Sequence, residues 1–76
     1  MYIIIEMQTN NNTTTVVTPI NTYSDQNIAL QGYFNTVAAA AVSSVQLHTV
    51  ILLNEHGMQL RAEEFRHEPE PEPNAE

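Results

Sequence analysis

Two runs of large apolar residues constrain this chain more than anything else in it: Ile3-Ile4-Ile5 near the start and Val50-Ile51-Leu52-Leu53 past the middle. In an extended strand successive side chains leave opposite faces, so each run is apolar on both faces of any sheet it joins. A sheet covered on one face by a helix shows alternation of apolar and polar residues instead. Each Ile or Leu left in water forfeits about 1.5–3 kcal/mol relative to full burial. A chain of 76 residues has little surplus stability to absorb that loss. The two runs therefore predict a homo-oligomer, a dimer or higher, that covers the second face or extends the sheet edge.

The elements around these runs suggest their order. Tyr2-Ile3-Ile4-Ile5-Glu6-Met7-Gln8 is β-branched and aromatic, as strands prefer. Asn10-Asn11-Asn12 tolerates left-handed backbone and reads as a turn, in a hairpin loop of about three to five residues. Thr13 to Thr18 is a second β-branched run, which Pro19 ends or places at an edge. A helix of roughly twenty residues follows, with Ser24 as its cap, Asp25 in its first turn and Tyr23 stapled to Ile28. Its apolar face is read at Leu30, Phe34, Val37, Ala38, Ala41 and Val45. Gly32 inside it either weakens the helix or admits a close neighbour. Leu47 to Leu53 is a strand, Asn54-Glu55-His56-Gly57 a turn, and Met58, Leu60 and Ala62 the inward face of a last strand. Phe65 breaks that phase, which predicts a bulge near Glu63-Glu64. The expected fold is α+β, ββαββ over residues 1–67: a four-stranded antiparallel sheet with one helix across one face. Residues 68–76, where Glu68, Glu70 and Glu72 alternate with Pro69, Pro71 and Pro73, are read as a disordered acidic tail.

Charge narrows the partners. The chain holds two arginines, no lysine and nine acids, a net charge of −7. It has no basic footprint for nucleic acid or for an anionic membrane surface. It has no cysteine, hence no disulfide, thiolate metal site or cysteine nucleophile. No apolar run reaches the ~18–20 residues of a membrane span. A cytoplasmic location follows as the expectation.

Catalytic chemistry finds little support at this level. His48, His56 and His67 have no short ligand spacing, so no metal site is assigned. Ser43 and Ser44 lack the flanking glycines of a nucleophile elbow. Glu63 and Glu64 leave opposite faces of a strand. With Gly32 and Gly57 as its two glycines, the chain has no phosphate loop and no cofactor motif. Glu6, on a strand that reads as buried, needs a partner, with Arg61 or Arg66 the candidates. A ligand site for an anion would draw on Arg61, Arg66 and His48, with Tyr2, Tyr33 and Phe65 as stacking surfaces. The same arginines also serve, more plainly, to neutralise neighbouring acids.

Met1-Tyr2-Ile3-Ile4-Ile5-Glu6-Met7-Gln8-Thr9-Asn10, Ala38-Ala39-Ala40-Ala41-Val42-Ser43-Ser44-Val45 and His48 together resemble short proteins carried by prophages and conjugative elements of gut bacteria. That group has no established activity, so no functional residue transfers. The resemblance implies a mobile-element context in a host bacterial cell. There, small acidic proteins are similar to counter-defence factors that sequester a nucleotide-derived signalling molecule between subunits. The expected function is thus a non-enzymatic oligomeric binding protein of that kind. The alternative is a protein–protein interaction module, either an inhibitor docking on a basic host protein or a minor virion or assembly component.

Overall fold

A computed structural model describes residues 1–67; the acidic segment 68–76 lies outside the described residues. The protein is α+β, with one helix packed on an antiparallel sheet of five strands. In chain order these are β1 (Tyr2–Asn10), β2 (Thr13–Val16), β3 (Asn21–Tyr23), α1 (Gln26–Ala41), β4 (Leu47–Asn54) and β5 (Gln59–Arg66). The sheet order is β2-β1-β4-β5, and β3 also pairs with β1.

The fifth strand corrects the four expected. Thr13 to Thr18 does not continue as one strand: β2 lies along the second half of β1, with Met7 opposite Val16. The chain then breaks at Val17-Thr18-Pro19-Ile20 and resumes as β3 beside the first half of β1, with Ile4 opposite Asn21. Proline supplies no N–H to a ladder, so the edge is split where Pro19 falls. The Asn turn is also tighter than expected. Asn10 pairs directly with Thr13, leaving a two-residue loop in which Asn11 and Asn12 have φ of 52° and 65°. Asparagine tolerates this left-handed region, and such turns match the twist of paired strands. At the other hairpin Gly57 takes φ of 80°. The Asn54 side chain there accepts from the N–H groups of His56 and Met58 at 2.9 and 3.0 Å.

The helix is shorter than the sequence suggests and turned by one position. Asp25, not Ser24, is its cap, accepting the Ile28 N–H at 2.9 Å. It ends at Ala41, so Val45 lies beyond it. Its buried residues are Ala29, Tyr33 and Ala40, with Leu30 and Val37 partly covered. Phe34, expected in the core, is 52% exposed. Small side chains decide this. Ala29, Gly32 and Ala40 let the helix backbone approach the sheet, and Tyr33 fills the remaining space. A Cβ on Gly32 would lie 2.9 Å from the Tyr23 hydroxyl and 3.2 Å from Ile4 Cδ1. Of the two readings of Gly32, close approach is the one realised.

Beneath α1 the core is completed by Ile4, Val50 and Leu52. The bulge of β5 sits at Leu60 rather than near Glu63-Glu64, because Leu53 pairs with Gln59 and Leu52 with Arg61. This shift places Arg61, Glu63 and Phe65 on the helix side, opposite Leu52, Val50 and His48. It leaves Met58 and Leu60 62% and 45% exposed. On the far face lie Ile3, Ile5 and Met7 with Ile51 and Leu53, all half-buried within the single chain, and Val16, 45% exposed.

Candidate functional site

The most organised polar cluster lies on the helix side of the sheet, at the end where α1 returns to β4. His48 is 4% exposed, and both its ring nitrogens have partners. Nε2 meets the Glu6 carboxylate, across from β1. Nδ1 lies 2.8 Å from Ser43 Oγ in the α1–β4 loop. Glu6 thus pairs with His48, and not with either arginine. Ser43 Oγ accepts the Val45 N–H at 3.4 Å, leaving its own proton to donate to Nδ1, while Nε2–H donates to the carboxylate. In this tautomer every member is satisfied, and no buried side-chain N or O among the described residues is unpartnered.

Carboxylate, imidazole and hydroxyl in sequence is the connectivity that activates a serine nucleophile. Such a serine also requires N–H donors aimed at a developing oxyanion. Around Ser43 three such donors have acceptors: its own N–H reaches Ala40 O at 3.3 Å, Val45 N–H reaches Ser43 Oγ, and Gln46 N–H reaches Asn10 Oδ1 at 3.1 Å. The cluster joins β1, β4 and the helix exit. On its other side the Glu6 carboxylate borders a recess of about 210 Å³ lined by Ile4, Val17, Thr18, Pro19, Asn21 and Thr36. An acid at that rim repels an anionic ligand.

Around the helix exit His67 makes a second tie. Its N–H donates to Gln46 O at 2.7 Å, and its ring stacks on Phe65 with centroids 6.3 Å apart. Nδ1 and Nε2 lie 2.9 and 3.0 Å from the carbonyl oxygens of Val45 and Ala41. A carbonyl only accepts, so a ring nitrogen ties to either oxygen by donating.

A third feature faces solvent. The Arg61 guanidinium lies 5.5 Å from the centroid of the Phe34 ring, which meets Tyr33 edge-on at 5.4 Å. This is the basic and aromatic pair that the chain presents on one surface. Burial holds the Tyr33 phenol above its ordinary pKa; the Glu63 carboxylate adds to this and Arg61 opposes it.

The residues singled out for a ligand do not converge within one chain. Arg61 shares the helix side with Phe65, whereas Arg66 lies opposite Leu47 on the far face and reaches Glu64 at 3.6 Å. Tyr33 is 2% exposed and His48 is enclosed. Tyr2 pairs with Asn54, six positions along β4 from His48, or roughly 20 Å at strand rise. The sequence offered no reason to join Ser43 to His48, five positions on, across a loop that only the helix ending at Ala41 defines. Among the described residues no three His, Asp or Glu side chains gather as a metal site requires, and no helix is long and apolar enough to cross a membrane.

Comparison with protein-family models, with curated proteins and with solved structures finds no match.

Proposed function

We propose that this protein is a non-enzymatic interaction module that works as a homo-oligomer. The observation that carries the reading is the far face of the sheet. Ile3, Ile5, Met7, Leu47, Ile51 and Leu53 form an apolar stripe across the two central strands, with threonines around it. The charges that alternation places on this face are Glu64 and Arg66, one of each sign, at the β5 margin. Copies of a chain with net charge −7 repel each other at long range. A nearly neutral apolar face is where two of them approach at least electrostatic cost, so the occupant of this face is a second copy. The Glu6–His48–Ser43 chain ties β1, β4 and the helix exit together, which supports a structural role for it.

Sedimentation of the full chain over a range of concentrations tests the reading. An oligomer is expected, and Ile5→Thr with Ile51→Thr, which keeps strand propensity, weakens it while circular dichroism is unchanged. A monomer at every soluble concentration, or an oligomer indifferent to these changes, refutes it.

The exposed pairing of Arg61 with Phe34 favours a second reading, a sponge for a nucleotide-derived signal of the host cytoplasm. A base stacks on Phe34 and phosphate meets Arg61, with the site completed by another protomer. Native mass spectrometry of protein drawn from signalling cells should then show a small stoichiometric mass. That mass disappears on denaturation and in Arg61→Ala. A clean oligomer without it leaves the interaction module as the function.

A further inference from the structure

Edge strands are where sheets recruit other chains, and the two edges of this sheet differ. One is split between β2 and β3 and carries Pro19. The other is β5, eight residues without a break or a proline, and among the described residues no strand lies outside it. Its residues are exposed except Phe65. Because His67 N–H points inward to Gln46 O, alternation turns the N–H and C=O of Phe65, Glu63 and Arg61 toward β4. The backbone groups of Ala62 and Glu64 therefore face outward.

We propose that a second copy of this chain docks on β5, antiparallel, with the two-fold axis passing at Ala62. The proposal rests on the self-association reading above and adds an element, register and symmetry to it. The charges along β5 select the register. Four of its eight residues are charged, in the order Arg61, Glu63, Glu64 and Arg66. Charged edge residues usually serve to prevent pairing, but here the two signs are arranged so that one nearly full-length register sets no like charges opposite each other and pairs Arg61 with Glu63. An axis at Arg61 sets two guanidinium groups against each other. An axis at Glu63 or at Glu64 sets carboxylate against carboxylate. An axis at Phe65 avoids these clashes but overlaps only the last residues of the described strand. Between-residue axes bring outward backbone groups against inward ones and make no ladder.

With the axis at Ala62, near the middle of β5, most of the strand overlaps. Arg61 then stands opposite Glu63 of the second copy, and the symmetric pair repeats this on the helix side. Ala62 meets its own mate on the far face, where a small side chain imposes no clash. Glu64 stands opposite Leu60. The result is a continuous sheet with both helices on one side. The apolar stripes of the two chains lie side by side on the other, available to the face contact proposed above.

A cysteine scan reads the axis directly, because the chain has no cysteine of its own. At a hydrogen-bonded antiparallel pair the Cα atoms are ~5.5 Å apart, inside disulfide range. Ala62→Cys should thus give a covalent dimer on mild oxidation. Glu64→Cys should not, since its mate is displaced by four residues, about 13 Å along the strand. Arg61→Glu and Glu63→Arg should each weaken dimerisation about tenfold, and the double exchange should restore it. If wild type associates but Ala62→Cys does not cross-link, the edge proposal falls while self-association stands. Cross-linking through Glu64→Cys instead overturns the register, and a wild-type monomer overturns both proposals.

Discussion

Gly32→Ala offers a direct test of how α1 sits on the sheet, because two effects of opposite sign meet at one methyl group. On a solvated helix the change stabilises by ~1 kcal/mol, since alanine loses less backbone freedom than glycine. Here the new Cβ would lie 2.9 Å from Tyr23 Oη, 3.1 Å from Tyr23 Cζ and 3.2 Å from Ile4 Cδ1. Ordinary carbon contacts are ~3.5–4.0 Å, so all three atoms must give way. The Tyr23 hydroxyl is the far end of a half-buried ring and moves at modest cost. Ile4 is 4% exposed, and its Cδ1 must give by a few tenths of an ångström. Overpacking of this kind costs about 1–3 kcal/mol, and the middle of that range exceeds the propensity gain. The expected net loss is about 1 kcal/mol, or a fall in Tm of about 4–8 °C for a domain of this size. Urea unfolding followed by circular dichroism measures it. The same substitution made beside Tyr23→Phe, which removes the closest atom, should cost less by about 0.5 kcal/mol or more. A Gly32→Ala protein that gains the full ~1 kcal/mol would show that β3 and Ile4 do not close on the helix.

Two further outcomes follow from the buried polar groups. Glu6→Leu should destabilise by about 1–3 kcal/mol, because it leaves His48 Nε2 unpaired under the helix; Glu6→Leu with His48→Leu should recover much of this in the same urea titration. Equal losses in the single and double variants would contradict the pairing. Tyr33 gives a pH dependence of defined sign. Its pKa is raised in the folded chain, so its contribution to stability is intact below the unfolded value near ~10. It is lost as pH rises through the folded value, because the unfolded chain releases the proton first. The urea midpoint should therefore fall on the alkaline side, and fall less in Tyr33→Phe. Parallel alkaline limbs for the two proteins would refute the assignment.

How much of this was legible beforehand depends on the range of the interaction involved. The strand cores, the Asn turn, the second hairpin and a single helix between them follow from local chemistry: β-branched runs, residues that tolerate positive φ, and a cap. The departures at Phe34 and in β5 are places where a distant contact decided. Phe34 and Tyr33 are adjacent large aromatics, and periodicity could not rank them without the small residues Ala29 and Ala40 that bring the backbone down onto Val50 and Leu52. The bulge at Leu60 sets which face Arg61 and Glu63 occupy, and it is a register relation between β4 and β5 rather than a property of β5.

The sequence by itself determined that the two central strands carry apolar side chains on both faces, because strand alternation is fixed by backbone geometry wherever the strand goes. It also determined the acidic balance and the scarcity of cationic groups. Only the tertiary structure decided which groups meet. It gave Glu6 a histidine instead of an arginine, gave that histidine a serine, set Arg61 over Phe34, and sent Arg66 to the other face. Those pairings join residues up to 42 positions apart. The physical reason is that a side chain's partner is chosen by sheet register, which strand pairing sets, and by helix rotation, which the packing of Gly32, Ala29 and Ala40 against the sheet fixes.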